Sequence, residues 1–449
     1  MGRVEPERNS RSPWAALYDR EEVEIHPPTK PPDGAIAVPG SKSYTNRAIL
    51  ISALAEGSSI LGDILRSDDS YWCLDALQQL GVSLQVEGNT VSIEGTGGEW
   101  PNPAGSLYIG AAGTIARFLP GALAVGSRGS WLLEGNRRLS ERPVRPLIKA
   151  LNTMGADIRY TADIGQLPIR IEARGLAGGK VTVSGAVSSQ FLSGLLIASP
   201  YAKQRTEIRV ADKMVQHAYV GMTIELMKRY GVVVEHNEAY DHFIIEPERY
   251  QGQNIQLEAD ASTSCYFLAY AALTGGHIRI TNLTAATLQP DIGMLKVFER
   301  MGCKVNSDAE GIELWGPEML QGGFTISMRE MSDQTLTLAA LAPFADAPIT
   351  ITDVEHIRTH ECDRISAMCD SLTRLGIQAE ERRDGLTVHP GMPVAGEALD
   401  TYDDHRMAMS LALIGSRVGG LRLRDPGCVS KTCPSYFEDM GKLGLQVII

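Results

Sequence analysis

The chain has 449 residues, enough for two to four domains. With 43% hydrophobic and 21% charged residues it has an ordinary globular composition, which argues against collagen, coiled coil or disorder as its main character. Its net charge of −12 argues against a nucleic-acid partner, which calls for a basic surface, but leaves room for a small basic pocket.

In chain order, residues 1–20 are polar and lack the apolar core of a signal peptide. No later run approaches the ~18 apolar residues of a membrane helix. The first distinctive motif is PGSKSYTNR at 39–47, followed by an apolar helical run at 48–55. Gly40 and Ser41 before a helix, with Lys42 and Arg47 beside them, suit an anion held by free N–H groups and the helix dipole. A capped helix with surface cations explains the motif equally well, and the Walker spacing is absent. An amphipathic helix then runs into Gly81, followed by two strands joined at a Gly88-Asn89 hairpin turn.

GAAGT at 110–114, with Arg117 one turn further on, permits close backbone approach to a ligand or tight helix packing. EGNRRLSERP at 134–143 is a basic loop, and Pro143 is expected to open the next helix. Ser188, Ser189 and Gln190 precede the apolar helix 191–198; they read as a cap that would also suit a phosphate. Residues 251–258 are the expected main crossover, and DASTS at 260–264 reads as a structural helix cap. HIRTHECDR at 356–364 places His356, His360, Glu361, Asp363 and Arg364 within nine residues, unusual for a structural segment. The pair His356 and His360, without H-E-x-x-H, is a weak metal signal. TYDDHRMA at 401–408 and DPGCVSKT at 425–432 each bring one cation, Arg406 or Lys431, to a loop–helix junction. Seven cysteines without C-x-x-C point to a reducing cytoplasm rather than disulfides or a zinc ribbon.

One phrase organises the whole chain: an amphipathic helix, a glycine and a strand. Its glycines are Gly81, Gly155, Gly231, Gly302, Gly376 and Gly444, at intervals of 74, 76, 71, 74 and 68 residues. Each should follow a last helical turn in the left-handed conformation that glycine tolerates best. Units of this length exceed solenoid repeats, so duplicated α/β units in two lobes of three are expected. Helix starts bearing Lys or Arg occur in both halves. If they face a shared cleft, the substrate is a highly anionic small molecule, or two of them.

PGSKSYTNRA, AAGTIAR, SERP, VSSQFL, DAST, HECDRI, TYDDHRMAM and DPGCVSKT, in this order, resemble the EPSP synthase (3-phosphoshikimate 1-carboxyvinyltransferase) family of enolpyruvyl transferases, from about Ile25 to the C-terminus. The resemblance implies an α/β fold: a two-lobe inside-out α/β barrel of six βαβαββ repeats, three per lobe. Residues 41–257 would form the N-terminal lobe, 25–40 with 258–449 the C-terminal lobe, and 1–24 an extra segment.

It also implies transfer of the carboxyvinyl group of phosphoenolpyruvate to the 5-hydroxyl of shikimate 3-phosphate, with release of phosphate, in aromatic amino acid biosynthesis. A proton adds to C3, the hydroxyl attacks C2, and the tetrahedral intermediate loses phosphate. This chemistry needs an acid, a base and charge neutralisation, but no metal, cofactor or covalent nucleophile.

By resemblance, Lys42, Gly113, Arg142, Gln190, Arg364, Arg406 and Lys431 would bind phosphoenolpyruvate. Ser43, Arg47, Ser188, Ser189, Gln190, Tyr219, Asp333 and His360 would surround the acceptor. Lys42, Asp333 and Glu361 would be catalytic, Asp333 at the accepting hydroxyl and Glu361 near C3. Three positions depart from the common pattern. Ala111 stands for Asn, His360 for a frequent Lys, and Gln216-His217-Ala218-Tyr219 for Ser-x-Pro-Tyr or Ser-x-Pro-His. The last raises an alternative, a paralogue acting on another phosphorylated acceptor such as uridine monophosphate. The UDP-N-acetylglucosamine branch is set aside, because the loop 135–143 lacks its reactive Cys. A non-catalytic relative is disfavoured by the presence of Lys42, Asp333, Glu361, Arg364, Arg406 and Lys431. The expected protein is a cytoplasmic monomer with two small-molecule substrates, no membrane and no nucleic-acid polymer, whose lobes close on their ligands.

Overall fold

The recurring glycines set the local geometry in the computed structural model, which describes residues 5–449. All six have φ between 81° and 97°. They end the helices Asp68–Gln79, Arg145–Thr153, Ala218–Arg229, Met294–Arg300, Arg364–Arg374 and Tyr436–Lys442 and turn the chain toward a strand. The Gly88-Asn89 turn joins Leu84–Glu87 to Thr90–Glu94 as expected. Between Ala379–Arg382 and Gly385–Val388 the loop is Arg383-Asp384, and Gly385 already pairs with Arg382. A Cβ at Gly385 would lie 1.9 Å from the carbonyl oxygen of Ile351 on the adjacent strand, so only glycine fits that pairing.

One sheet arrangement recurs. Ala104–Tyr108 runs parallel to Gly129–Glu134. The latter pairs antiparallel with Ile169–Ala173, which pairs antiparallel with the edge strand Asp157–Tyr160. Two further sheets, begun by Gly179–Val183 and Phe324–Ser327, repeat this order from contiguous chain. Two others import their first strand: Asn254–Gln256 lies parallel to Ser58–Gly62, and Asp33–Ile36 parallel to His277–Ile280. In the sixth sheet, Glu22–His26 lies between Leu421–Arg424 and Gln446–Ile448, antiparallel to both. Leu399 bridges Leu423 in the parallel position. The sixth sheet thus keeps the same plan, with a strand from the start of the chain. Six βαβαββ repeats account for the architecture.

The chain divides into two units, Gly40–Glu258 and the chain up to Pro39 joined with Ala259–Ile449. Each holds three sheets. In each, the first helix of every repeat is buried around almost its whole circumference: Lys42–Leu54, Ile115–Ala124 and Gln190–Ala198 in one, Ala261–Thr274, Thr335–Leu341 and His405–Gly415 in the other. Such helices must be apolar or small on all sides. Gly194, whose Cβ would lie 2.2 Å from the Arg117 carbonyl oxygen, lets two of them approach closely. Among the described residues no helix is long and apolar enough to cross a membrane.

Candidate active site

Five of the eight polar motifs sit at the starts of these buried helices; those at 134–143, 356–364 and 425–432 lie elsewhere. A helix start carries unpaired N–H groups and the positive end of the dipole, so polar side chains are tolerated there inside an apolar bundle. Lys42 is the first residue of Lys42–Leu54, which begins six residues earlier than its apolar run suggests; Ser41 caps it by accepting the Tyr44 N–H. Asp260 caps Ala261–Thr274 through the Thr263 N–H at 2.7 Å. Asp404 caps His405–Gly415 through the Arg406 N–H at 2.8 Å.

In the unit containing Ala259–Ile449, three cations and three carboxylates form one network. Arg364, 2% exposed, is its centre. Its Nη1 donates to Asp333 at 3.0 Å, its Nη2 to Glu361 at 2.9 Å and its Nε to Asp404 at 2.8 Å. Arg406 Nη2 donates to the other oxygen of Asp333 at 2.8 Å, and its Nη1 to Ser262 Oγ at 2.9 Å and the Tyr266 hydroxyl at 3.3 Å. Lys431 Nζ lies 3.2 Å from Glu361 Oε1. Burial alone would depress the Arg364 guanidinium, but Asp404, Glu361 and Asp333 outweigh it and push its pKa up. Burial pushes the Tyr266 hydroxyl up to about 12, so it remains a neutral acceptor for Arg406.

His360 joins this network, and His356 lies beside it. His360 Nδ1 accepts from Arg364 Nη1 at 3.1 Å, and His356 Nε2 lies 2.7 Å from Ser332 Oγ. Burial pulls the His356 imidazole down to about 4, although Asp333 acts in the opposite sense. No group of three His, Cys, Asp or Glu with metal-ligand geometry occurs among the described residues.

In Gly40–Glu258 the central feature is Arg47, 2% exposed in Lys42–Leu54. It donates to Thr223 Oγ1 at 2.8 Å, the Ser43 carbonyl at 3.0 Å, Ser193 Oγ at 3.3 Å and the Tyr219 carbonyl at 3.4 Å. Its guanidinium carbon also lies 5.0 Å from the Phe118 ring centroid. All these partners are neutral, and burial pulls Arg47 down to about 10. Among the described residues this buried guanidinium is hydrogen-bonded only to neutral acceptors, an arrangement suited to an anion. Gly113 adjoins Arg142: a Cβ there would lie 2.7 Å from Arg142 Nη1. Ser188 Oγ accepts the Gln190 N–H at 3.2 Å, and Ser189, at the N-cap position, makes no capping bond. The cap is therefore Ser188, one position earlier than a standard N-cap.

Several sequence expectations are revised. Pro143 does not open a helix; Arg145–Thr153 carries Pro146 in its first turn, and the Pro143 carbonyl accepts from Arg117 Nη2. The DASTS segment is more than a cap, since Ser262 binds Arg406 and accepts from Gln334 Nε2 at 3.1 Å. Sequence reasoning misses Asp404, which is central to the network. Its adjacency to Arg406 was the available signal, masked by its plainer role as a helix cap. Gln216 has φ of +50°, His217 is right-handed helical and the Tyr219 N–H donates to the Gln216 carbonyl at 3.2 Å, so residues 216–219 make a turn that runs into the helix Ala218–Arg229.

Comparisons with known proteins agree along the chain. The family model described as EPSP synthase (3-phosphoshikimate 1-carboxyvinyltransferase) matches residues 27–440. A protein of Halalkalibacterium halodurans named 3-phosphoshikimate 1-carboxyvinyltransferase 2 is 57% identical over 442 residues, 98% of each chain. The chloroplastic 3-phosphoshikimate 1-carboxyvinyltransferase of Arabidopsis thaliana is 39% identical, covering 93% of this chain and 83% of that protein. Among solved structures, EPSP synthase from Acinetobacter baumannii superposes with a TM-score of 0.80 at 26% identity, covering 96% of this chain and 100% of that one. The enolpyruvyl transferase NikO from Streptomyces tendae, at 18% identity and a TM-score of 0.76, covering 95% of this chain and 98% of that one, shares the fold.

Proposed function

The chain belongs to the EPSP synthase (3-phosphoshikimate 1-carboxyvinyltransferase) family, and from that premise we infer how its residues perform the reaction. The protein is an enolpyruvyl transferase of the shikimate pathway. It moves the carboxyvinyl group of phosphoenolpyruvate to the 5-hydroxyl of shikimate 3-phosphate and releases phosphate. Its compartment is the cytoplasm, a reading supported by seven free, buried cysteines. It acts as a monomer.

One observation carries the assignment of roles: the balanced network of Arg364, Arg406 and Lys431 with Asp333, Glu361 and Asp404. An arriving dianion competes with the carboxylates for the cations. The phosphate and carboxylate of phosphoenolpyruvate take up Arg364, Arg406 and Lys431, joined by Lys42, Arg142, Gln190 and the backbone at Gly113. Glu361, losing part of its cationic company, becomes a stronger base and can hold the proton destined for C3. Asp333, released from Arg406, accepts the proton of the attacking 5-hydroxyl. Lys42 stabilises charge on the transferring groups. Arg47 fits the acceptor's carboxylate, with Ser43 beside it. Ser188, Ser189, Gln190, Tyr219 and His360 complete the acceptor's surroundings.

The test is phosphate release with phosphoenolpyruvate and shikimate 3-phosphate, with mass analysis of the product and uridine monophosphate as the competing acceptor. Turnover with shikimate 3-phosphate, lowered ~10²-fold in Lys431→Ala, is expected from the loss of one preorganised charge. Turnover with the nucleotide alone would reject the acceptor, and unimpaired Lys431→Ala would reject the site.

A further inference from the structure

Residues 6–21 lie outside the stretch matched by the family model, 27–440. They nevertheless reach the base of the site. Arg8–Ser10 forms one helical turn, Ser10 and Ser12 are buried, and the Arg11 side chain between them is 4% exposed. Arg11 Nη2 donates to both oxygens of Asp425, at 2.6 and 2.5 Å, and to Asp403 Oδ1 at 3.2 Å. The Glu7 N–H donates to Asp403 Oδ2 at 3.4 Å. The Asp425 N–H donates in return to the Glu21 carbonyl at 2.7 Å. A side chain at Gly427 would start 2.6 Å from both Arg11 Nη1 and the Leu17 carbonyl oxygen, so this loop is shaped to the segment.

The two loops held by Arg11 are the ones that present Arg406 and Lys431. Asp403 directly precedes Asp404, the cap of the Arg406 helix and a partner of Arg364. Asp425 precedes the turn Pro426–Lys431, which ends on Lys431. Tyr402, Asp403 and Asp425 have φ of +57°, +54° and +53°, a left-handed backbone that few residues other than glycine adopt. Such a conformation persists only where the surroundings hold it. Charge acts in the same direction. Asp425 is a buried carboxylate and Asp403 a partly buried one, and the positive charge of Lys431 already acts on Asp403. Without Arg11, Asp403 would compete with Glu361 for the Lys431 ammonium.

We propose that residues 6–21 are a clasp, with Arg11 as its positioning residue, that sets Arg406 and Lys431 for phosphoenolpyruvate. The proposal rests on the reading of those two residues as phosphoenolpyruvate ligands.

The test compares Arg11→Ala, Arg11→Lys and the neutralised combination Arg11→Met/Asp403→Asn/Asp425→Asn with Lys431→Ala in the full-length enzyme. The readouts are kcat, separate KM values for the two substrates, and the urea midpoint. Arg11→Ala should raise KM for phosphoenolpyruvate about tenfold or more and leave that for shikimate 3-phosphate within about twofold. Arg11→Lys should fall between, and the neutralised combination should regain part of the loss, because no unpaired carboxylate then competes for Lys431. If Arg11→Ala does not fold, the other two variants decide on the same readouts. Unchanged KM for phosphoenolpyruvate, beside an impaired Lys431→Ala, overturns the clasp and leaves the site standing. Equal loss for both substrates in step with stability makes the segment merely structural and also overturns it. A Lys431→Ala enzyme with normal phosphoenolpyruvate affinity removes the site reading, and the clasp with it.

Discussion

Asp404 does two jobs with one carboxylate. One oxygen caps a helix and the other holds the Nε of Arg364. An amide can still accept the Arg406 N–H but turns an N–H₂ group or a weaker acceptor toward the guanidinium. Asp404→Asn should therefore keep the cap and lower turnover at least ~10-fold through loss of a charge-assisted hydrogen bond. Asp404→Ala should in addition lose about 1 kcal/mol of stability with the cap. Steady-state kinetics beside urea unfolding separates the two effects. Lys431 and Arg406 read from sequence as cations at loop–helix junctions. Both are buried in the ion network, so their removal should cost some stability as well as activity.

His356 gives a pH dependence whose sign is fixed. Its folded pKa, about 4, lies below the ordinary 6.5. Between these values the unfolded chain binds the extra proton, so stability from this group is complete above pH 6.5 and is lost as pH falls toward 4. The full difference is about 3 kcal/mol. His356→Asn should flatten that portion of the stability curve, measured by urea midpoints between pH 4.5 and 7.5. A slope unchanged by the substitution would assign the acid sensitivity elsewhere.

At the level of elements, most of the fold was legible. The helix–glycine–strand phrase encodes a left-handed stop, and all six stops are present. Gly376 and Gly385, in one repeat, separate two reasons for glycine. Gly376 has φ of +81° and open space around a Cβ; Gly385 meets a neighbouring carbonyl. Gly376→Ala should cost about 1–2 kcal/mol of backbone strain, with Asn milder. Gly385→Ala should cost about 3 kcal/mol or more, because a strand must shift. Differential scanning calorimetry on both variants checks the order.

The turn 216–219 was only partly legible, because its departure from Ser-x-Pro was visible while its backbone was not. Proline at 218 would press His217 out of its right-handed conformation. Restoring Ser-x-Pro in this chain should therefore disturb the start of Ala218–Arg229 rather than improve it. What sequence could not show is contact between distant segments. Arg11 carries no motif, and Ser262 and Tyr266 look like ordinary helix residues until Arg406 is placed beside them.

Across the whole molecule, three of the cations proposed for phosphoenolpyruvate lie in a different unit from the residues proposed for the acceptor's carboxylate, although Lys42, Gly113, Arg142 and Gln190 share that unit. Arg47, Ser43 and Tyr219 lie in Gly40–Glu258, whereas Arg364, Arg406 and Lys431 lie in the unit containing Ala259–Ile449. Shikimate 3-phosphate alone should slow amide exchange at the starts of Lys42–Leu54, Gln190–Ala198 and Ala218–Arg229. Phosphoenolpyruvate in addition should protect the starts of Arg364–Arg374 and His405–Gly415. Hydrogen exchange followed by mass spectrometry would show this, and protection confined to one unit with both substrates present would contradict the division.

The contact between Arg11 and Asp425 spans 414 positions. A ribosome adding on the order of 5–20 residues per second takes roughly 20–80 s to cover that distance. Throughout that interval the nascent Arg11 has no acidic pair to meet. The strand Glu22–His26 likewise waits for Leu421–Arg424 and Gln446–Ile448, among the last segments to emerge. Gly40–Glu258, by contrast, is one unbroken stretch whose three sheets are complete once residue 256 is out. Translation thus delivers most of the acceptor's residues early and joins the two ends of the chain last, so a transcript cut short yields a polypeptide that cannot seat Lys431.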